Sequence, residues 1–369
     1  MSADNAGRVP FLDLRPHEDR ADVEAAIARV LGRGWFVLGP ELEGFEQGFA
    51  RAVGARHAVG VGTGTDAIAL ALRAIGIGPG DEVITAPLSA AFSALAVLMT
   101  GARPVFADID ADRLTLDARA AAAAITPRTR AIMPVHLYGQ AADMAAIVAV
   151  AEQYGLAVVE DCCQAHLATC GGRPVGSFGV AAAYSFYPTK NLGALGDGGA
   201  ITVNDDALAG RLRRLRNGGQ SSRYEHAEFG VNSRLDELQA AVLSARLAWL
   251  PRWTAERRAL AADYRRRLPG APVVVPPECD PGHAYHLFPV RSADRTGVQA
   301  HLRRHGIETL VHYPVPITRQ PALAAAHPAE CPVADRVCAE VFSLPLHPGL
   351  PADAVALVAD ALHACPAQT

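Results

Sequence analysis

Lys190 is the residue of this 369-residue chain best placed to act as a nucleophilic amine. It lies in the stretch from Ser185 to Gly199, after the apolar run Val180–Phe186 and before the short apolar run Ala200–Val203. A lysine on a loop between two buried strands loses part of its hydration. That disfavours the ammonium form and exposes a reactive lone pair. A surface turn would explain the same stretch equally well if it stood alone. Two other features make it more than a turn. Asp161 closes the strand-like run Ala157-Val158-Val159-Glu160-Asp161. Gly60, Gly62 and Gly64 lead into a helical pattern with Thr65 as the expected N-cap. Free N–H groups and the dipole at such a helix start can hold an anion. The turn is not a P-loop, because no G-K-[ST] follows, and its glycines do not fit G-x-G-x-x-G.

These groups need a scaffold, and the hydrophobic pattern supplies one. Strand-like runs at 81–85, 104–109, 131–136 and 157–161 alternate with helical spacing at 92–100, 118–124 and 145–154. Alternation of this kind predicts an α/β fold, a mostly parallel sheet sandwiched by helices, with ligands at the carboxyl ends of the strands. Gly64, Thr65, His136, Asp161 and the Lys190 loop all fall at or near such ends. Helices are expected at 22–31 and from Pro40, and a long helix at 235–268 with a joint near Trp249, Pro251 and Trp253. Beyond it the composition shifts to proline-rich turns, short strands such as 286–290 and a helix at 298–305. We expect a large domain over 1–250, including the N-terminal segment, and a smaller C-terminal α+β domain over 251–369.

Half of the residues are hydrophobic, 20% are charged and the formal net charge is −4. Nothing in that balance calls for nucleic acid or a membrane surface as partner. No secretory leader and no membrane-spanning run is apparent, so a cytoplasmic location is expected. The seven cysteines contain no C-x-x-C and read as reduced thiols. His283 and His286 lack a carboxylate or second pair beside them, and no metal site is expected.

An anion cradle, a strand-end aspartate and a loop lysine together are what pyridoxal 5′-phosphate needs: a phosphate site, an acid for the pyridine nitrogen and an amine for a Schiff base. From Pro10 to Pro348 the chain resembles the DegT/DnrJ/EryC1/StrS sugar aminotransferases of the aspartate aminotransferase-like fold type I. The resemblance rests on landmarks in order: Gly64–Ala67, Gly78–Val83, Pro134–Gly139, Glu160-Asp161, Gln164-Ala165-His166, Ser185–Gly199 and Asn232–Ala241. It implies that Lys190 forms the Schiff base and Asp161 pairs with the pyridinium nitrogen. Gln164 would lie near the ring hydroxyl, and Gly64, Thr65 and Ser185 would bind the phosphate. Asn232 would reach the phosphate of a neighbouring subunit's cofactor, making a homodimer with shared active sites. Two departures are visible. The position that is aromatic in many relatives is Ala91, followed by Phe92. In the run after Asp161, Cys163 replaces a small residue and Leu167 a glycine.

The resemblance implies two-stage transamination, with pyridoxamine 5′-phosphate between the stages. Glutamate gives its amine and leaves as 2-oxoglutarate, and a nucleotide-linked keto-sugar receives it. Lysine at 190 argues against the dehydrating relatives, which carry histidine there. The run Lys190–Gly199 looks most like members acting at C3 of a dTDP-3-oxo-6-deoxyhexose. Carbon-4 and cyclitol aminotransferases are the alternatives within the family. His136, Tyr187, His312, Tyr313 and Arg319 could line the sugar site, or serve packing and loop hydrogen bonds. A nicotinamide-dependent Rossmann enzyme is the alternative of a different class, and a non-catalytic regulator on the same fold is a third.

Overall fold

A computed structural model describes residues 8–326 and 330–366. Seven strands form the central sheet: β1 (His57–Val61), β2 (Glu82–Thr85), β3 (Arg103–Phe106), β4 (Thr129–Met133), β5 (Ala157–Asp161), β6 (Ala181–Ser185) and β7 (Gly199–Val203). Their spatial order is β1-β7-β6-β5-β4-β2-β3. The run from β6 through β3 is parallel throughout, whereas β7 is antiparallel to both of its neighbours, β1 and β6. The strands are short, apolar and buried, as a sheet covered by helices on both faces requires.

Helices α1 (Arg20–Arg33) and α2 (Pro40–Val53) precede the sheet, and α3 (Gly64–Ala74) follows β1. Ala67, Ile68, Leu70 and Leu72 of α3 are all essentially inaccessible. A helix sunk this deeply presents its N-terminal N–H groups in a low dielectric, where they attract an anion more strongly. Its N-cap is Thr63, whose Oγ1 accepts from Asp66 N, and not Thr65 as the spacing suggested. Helices α4 (Phe92–Met99), α5 (Ala118–Ala123), α6 (Met144–Tyr154) and α7 (Asp206–Leu215) complete the layers around the sheet.

The expected long helix at 235–268 is two: α8 (Glu237–Leu247) and α9 (Leu250–Arg267). Pro251 lies in the first turn of α9, where its missing N–H costs nothing. The indoles of Trp249 and Trp253 stack at 6.4 Å and donate to Asp22 and Glu18, so the joint is pinned to the N-terminal segment. Beyond α9, β8 (Phe288–Arg291) pairs with β9 (Val341–Leu344), flanked by α10 (Arg295–Arg304), α11 (Pro332–Glu340) and α12 (Ala354–His363). Tyr264, Phe288, Val290, Leu302, Phe342, Val358 and Leu362 form a core there, and Val9 joins it. Val9 bridges to Ile307, so the start of the described chain packs with the C-terminal layer rather than with the sheet. Among the described residues no helix is long and apolar enough to cross a membrane.

Candidate active site

Three strand ends meet at one edge of the sheet. Ser185 ends β6, Gly199 begins β7, and the two are paired; Gly199 also pairs with Val61, the last residue of β1. The Lys190 loop therefore leaves and re-enters the sheet at the same place. It is closed by Phe186 N donating to Gly198 O and Ala194 N to Phe186 O, each 2.8 Å, while Lys190 N donates to Tyr187 O at 2.8 Å. Asn191 secures it from below, donating to Ala284 O at 3.0 Å. Burial pushes the Lys190 amine below the ordinary lysine value, and Cys163 and Asp161 nearby offset this only in part.

Asp161 is 3% exposed and its carboxylate is oriented from two sides. Oδ1 accepts from Cys163 N at 3.1 Å and Oδ2 from Ser93 Oγ at 2.7 Å. Ser93 also contacts Ser89 Oγ at 3.2 Å. Sequence reasoning missed Ser93, which the first turn of α4 delivers from 68 residues away. Replacing Ser93 with alanine is expected to lower turnover about tenfold, since one charge-assisted hydrogen bond holding the acid is lost. Turnover unchanged at saturating cofactor would refute that role.

At the helix start, Asp66 N is taken by Thr63 Oγ1 and Ala67 N by Thr63 O. The N–H groups of Gly64 and Thr65 have no acceptor among the described residues. A Cβ on Gly64 would stand 2.7 Å from Ser185 Cβ and 3.0 Å from Cys163 Sγ. The missing side chain is what lets Ser185 and Cys163 approach the helix end. This gap, two free N–H groups, a hydroxyl, a strand-end carboxylate and a desolvated amine fit pyridoxal phosphate. Asn232 is exposed and bridges to Asn217, next to Ser233, which accepts from Gly62 N and donates to Asp66 at 2.9 and 2.7 Å.

Gln164 Oε1 accepts from Tyr138 N at 2.8 Å, and its Nε2 donates to Tyr313 Oη at 3.1 Å. Burial pushes the Tyr313 phenol up to about 12. His312 stacks on Phe11 at 5.7 Å and contacts Ser343 Oγ at 3.0 Å; burial draws it down to about 4, so it is neutral near pH 7. Tyr187 is 51% exposed. Two of the residues named for the sugar site lie elsewhere. His136 is inaccessible, accepting from Ala142 N at Nδ1 and bonding Glu160 at Nε2, 3.1 Å away. Alternation along β5 sends Glu160 to the face opposite Asp161, and His136 goes with it. Arg319 is exposed and paired with Asp335 at 2.6 Å, apart from the Lys190 cavity. His136, Glu160 and Cys162 lie within 4.8 Å of one another, as metal ligands would. Glu160, however, is saturated by His136 and the N–H groups of Gly176, Phe178 and Gly179.

The two departures also resolve structurally. Phe92 is 63% exposed, whereas Cys163 is the residue set between Asp161, Lys190 and Gly64. Leu167 adopts φ 59°, so the loop keeps the left-handed turn that a glycine would make freely.

The family model described as "DegT/DnrJ/EryC1/StrS aminotransferase family" matches residues 17–363. The chain belongs to this family. It is 51% identical to the dTDP-3-amino-3,4,6-trideoxy-alpha-D-glucose transaminase of Streptomyces venezuelae, over 96% of this chain and 95% of that one. The crystal structure of S. venezuelae DesV in complex with a ketimine intermediate matches with a TM-score of 0.94 at 50% identity, covering 98% of this chain and 99% of that one. The structure of NtdA from Bacillus subtilis, with bound pyridoxamine phosphate, matches with a TM-score of 0.92 at 31% identity, covering 97% and 85%. The fold is thus that of the type I pyridoxal-phosphate aminotransferases, and the chain is a pyridoxal-phosphate-dependent aminotransferase. Family membership leaves no room for the nicotinamide reading.

Proposed function

We propose that this aminotransferase moves the amine of glutamate to C3 of a dTDP-linked 3-oxo-6-deoxyhexose. The observation that carries the reading is the cavity of about 530 Å³ beside Lys190, walled by Arg15, Arg246, Arg252, Arg257 and Trp253. Asp13, Glu18, Asp19 and Glu256 line the same cavity and pair Arg15, Arg246 and Arg252, so its wall is mixed in charge; its size, its polar lining and the indole of Trp253 beside the Lys190 loop suit a nucleotide-linked sugar. The Streptomyces relative, named for a 3-amino sugar, points to the same carbon.

Pyridoxal phosphate, when bound, supplies an electrophilic carbon and a ring that draws off the electron pair left at the donor's α-carbon. Gly64 N, Thr65 and Ser185 would hold its phosphate, and Asp161 its ring nitrogen. Ser93 and Cys163 N keep the Asp161 carboxylate turned to that task. Lys190 Nζ, which burial holds below the ordinary lysine value, takes the proton from the donor's α-carbon and carries it onward. Gln164 and Tyr313, hydrogen-bonded to each other, close the side facing the C-terminal layer. His312 and Tyr187 flank the entrance for the sugar, and neutral His312 can donate or accept there.

Two copies act together in this reading. Trp35, Phe36, Phe92, Tyr224 and Phe229 are all exposed, and a second copy that covered them would take that aromatic surface out of water. In this reading Asn232, which is exposed, serves the partner's cofactor. All seven cysteines are free thiols, in keeping with a reducing cytoplasm.

A half-reaction screen tests the reading. Glutamate should convert the enzyme to its pyridoxamine form, with loss of visible absorbance. A dTDP-3-oxo-6-deoxyhexose should then restore the original spectrum, and the 4-oxo isomer should not. Restoration by the 4-oxo isomer alone would overturn the C3 assignment, and failure of glutamate to bleach the enzyme would overturn the donor.

A further inference from the structure

The histidines of the run His283-Ala284-Tyr285-His286 have no part in the function above. The structure sets this run against the Lys190 loop and holds it from two sides. Gly139 admits it, since a Cβ there would stand 2.8 Å from Tyr285 N and 2.9 Å from His286 N. Ala284 N donates to Gly139 O at 2.9 Å and Leu287 N to Tyr138 O at 3.3 Å. From α9, Arg257 Nη1 donates to Tyr285 O and His286 O at 3.2 Å each. Between these anchors Tyr285 adopts φ 45°, a left-handed conformation that a bulky residue rarely takes. His283 supports it, accepting from Tyr285 N at 2.9 Å and stacking on its ring at 3.8 Å. Such backbone strain persists where its surroundings over-determine it, and it gathers at functional sites.

What the turn presents to the loop is His286. Asn191, the residue after Lys190, donates from Nδ2 to Ala284 O at 3.0 Å. A carbonyl only accepts, so the Asn191 amide is fixed, with Oδ1 left for a second partner. That oxygen lies 3.2 Å from His286 Nδ1, and it too only accepts. His286 therefore carries its proton on Nδ1 and donates it to Asn191. Burial, with Lys190 and Arg257 nearby, holds His286 well below the ordinary histidine value, so it adds no charge beside the amine. Asn191 and His286 are both buried, and water competes little for either bond.

We propose that His286 is a positioning residue for Lys190: by donating to Asn191 it locks the lysine loop against the 283–287 turn and keeps the amine in its desolvated seat. The inference rests on the reading of Lys190 as the reacting amine and adds what holds it in place. Between the two stages of transamination the amine has no covalent tether. The loop alone then sets where it stands for proton transfer, and small misplacements there are costly.

The test measures how fast cofactor-free protein captures pyridoxal phosphate from neutral to alkaline pH, read by peptide mass after borohydride reduction. Lys190 is the only lysine of the chain, so the N-terminal amine is its one competitor. Only the unprotonated amine reacts, so the rate follows its protonation. The groups acting on Lys190 electrostatically are Asp161, Cys163, His166, His286 and His312. Burial holds the three histidines down and the Cys163 thiol up, so the profile reports the amine. In His286→Ala the loosened loop lets water reach Lys190 and its amine becomes more basic. Capture should be about tenfold slower at neutral pH, a deficit that shrinks as pH rises. His286→Asn places an amide N–H at the Nδ1 position and should recover most of the rate. His286→Gln places it at Nε2 and should not. A deficit equal at every pH, or H286N no faster than H286Q, overturns the proposal. Label on the N-terminus with Lys190 unmodified would sink the reading of Lys190 and the clamp with it. Label on Lys190 that is indifferent to His286 sinks the clamp alone. Should the variants not fold, nitrogen NMR of the wild-type imidazole decides: a proton on Nδ1 supports the clamp, and a proton on Nε2 rejects it.

Discussion

Alanine in place of Lys190 is expected to reduce turnover by roughly 10²–10⁴-fold from the lost proton transfer alone, and further from loss of the covalent cofactor link. The same change should leave the protein as stable as before, or more so. Burial holds the Lys190 amine below its ordinary value. Between the lowered value and the ordinary one, the unfolded chain therefore binds more protons than the folded one. Linkage then makes stability decline as pH falls through that window. Alanine removes this cost, so the melting temperature of K190A without cofactor should equal or exceed that of wild type at pH 7. Activity within tenfold of wild type would refute the assignment of Lys190. A melting temperature several degrees lower would refute the claim that its burial is a burden.

The second large effect concerns stability, not chemistry. Glu160 is inaccessible and accepts from Gly176 N, Phe178 N, Gly179 N and His136 at 2.7, 2.7, 2.8 and 3.1 Å. Glu160→Ala orphans all four donors in the interior, which is expected to cost about 3–5 kcal/mol. The urea midpoint reports it. Burial alone would raise this carboxyl, but His136 and the N–H groups of Gly176 and Gly179 outweigh it and hold the group below the ordinary glutamate value. A depressed carboxyl contributes stability above the ordinary value, and that contribution is lost as pH falls through the folded value. Glu160→Gln should therefore flatten the acid limb of the stability profile. An unchanged acid limb, or an E160A midpoint equal to wild type, would show that the carboxylate does not organise the 176–179 turn.

What could be read from the chain beforehand was local. Asp161 and Lys190 are legible because each stands at the end of an apolar run, and a run's end is a property of neighbouring residues. The anion cradle was legible in outline, but its cap was not. Gly62-Thr63-Gly64-Thr65 offers two threonines with the same chemistry, and only the backbone decides that Thr63 accepts from Asp66 N. Ser93 was invisible because its partner lies 68 residues away across the sheet. His136 looked like a strand-end group and lies three residues past the end of β4, but β5 alternates, and the carboxylate it meets is Glu160 on the far face. The pairing of Arg319 was hidden for a similar reason: its partner Asp335 comes from another element. The helix joint was visible at Pro251, yet its consequence was not, because the anchors Glu18 and Asp22 are over 220 residues earlier.

One strand running backwards has a mechanical consequence. Because β7 opposes β1 and β6, its first residue touches both Val61 and Ser185. A Cβ on Gly199 would fall 2.3 Å from Thr63 O, so no slack remains at that point. The anion cradle and the lysine loop are consequently clamped to the same rung of one ladder. A slip of two residues, the smallest that keeps the same face inward, would carry the start of β7 about 7 Å along its neighbours. The alignment of the Lys190 loop with the proposed phosphate cradle is therefore a matter of strand register, defended by every pair from His57 and Val203 onward. Mutations that loosen this ladder far from the cavity should misplace the chemistry before they unfold the protein.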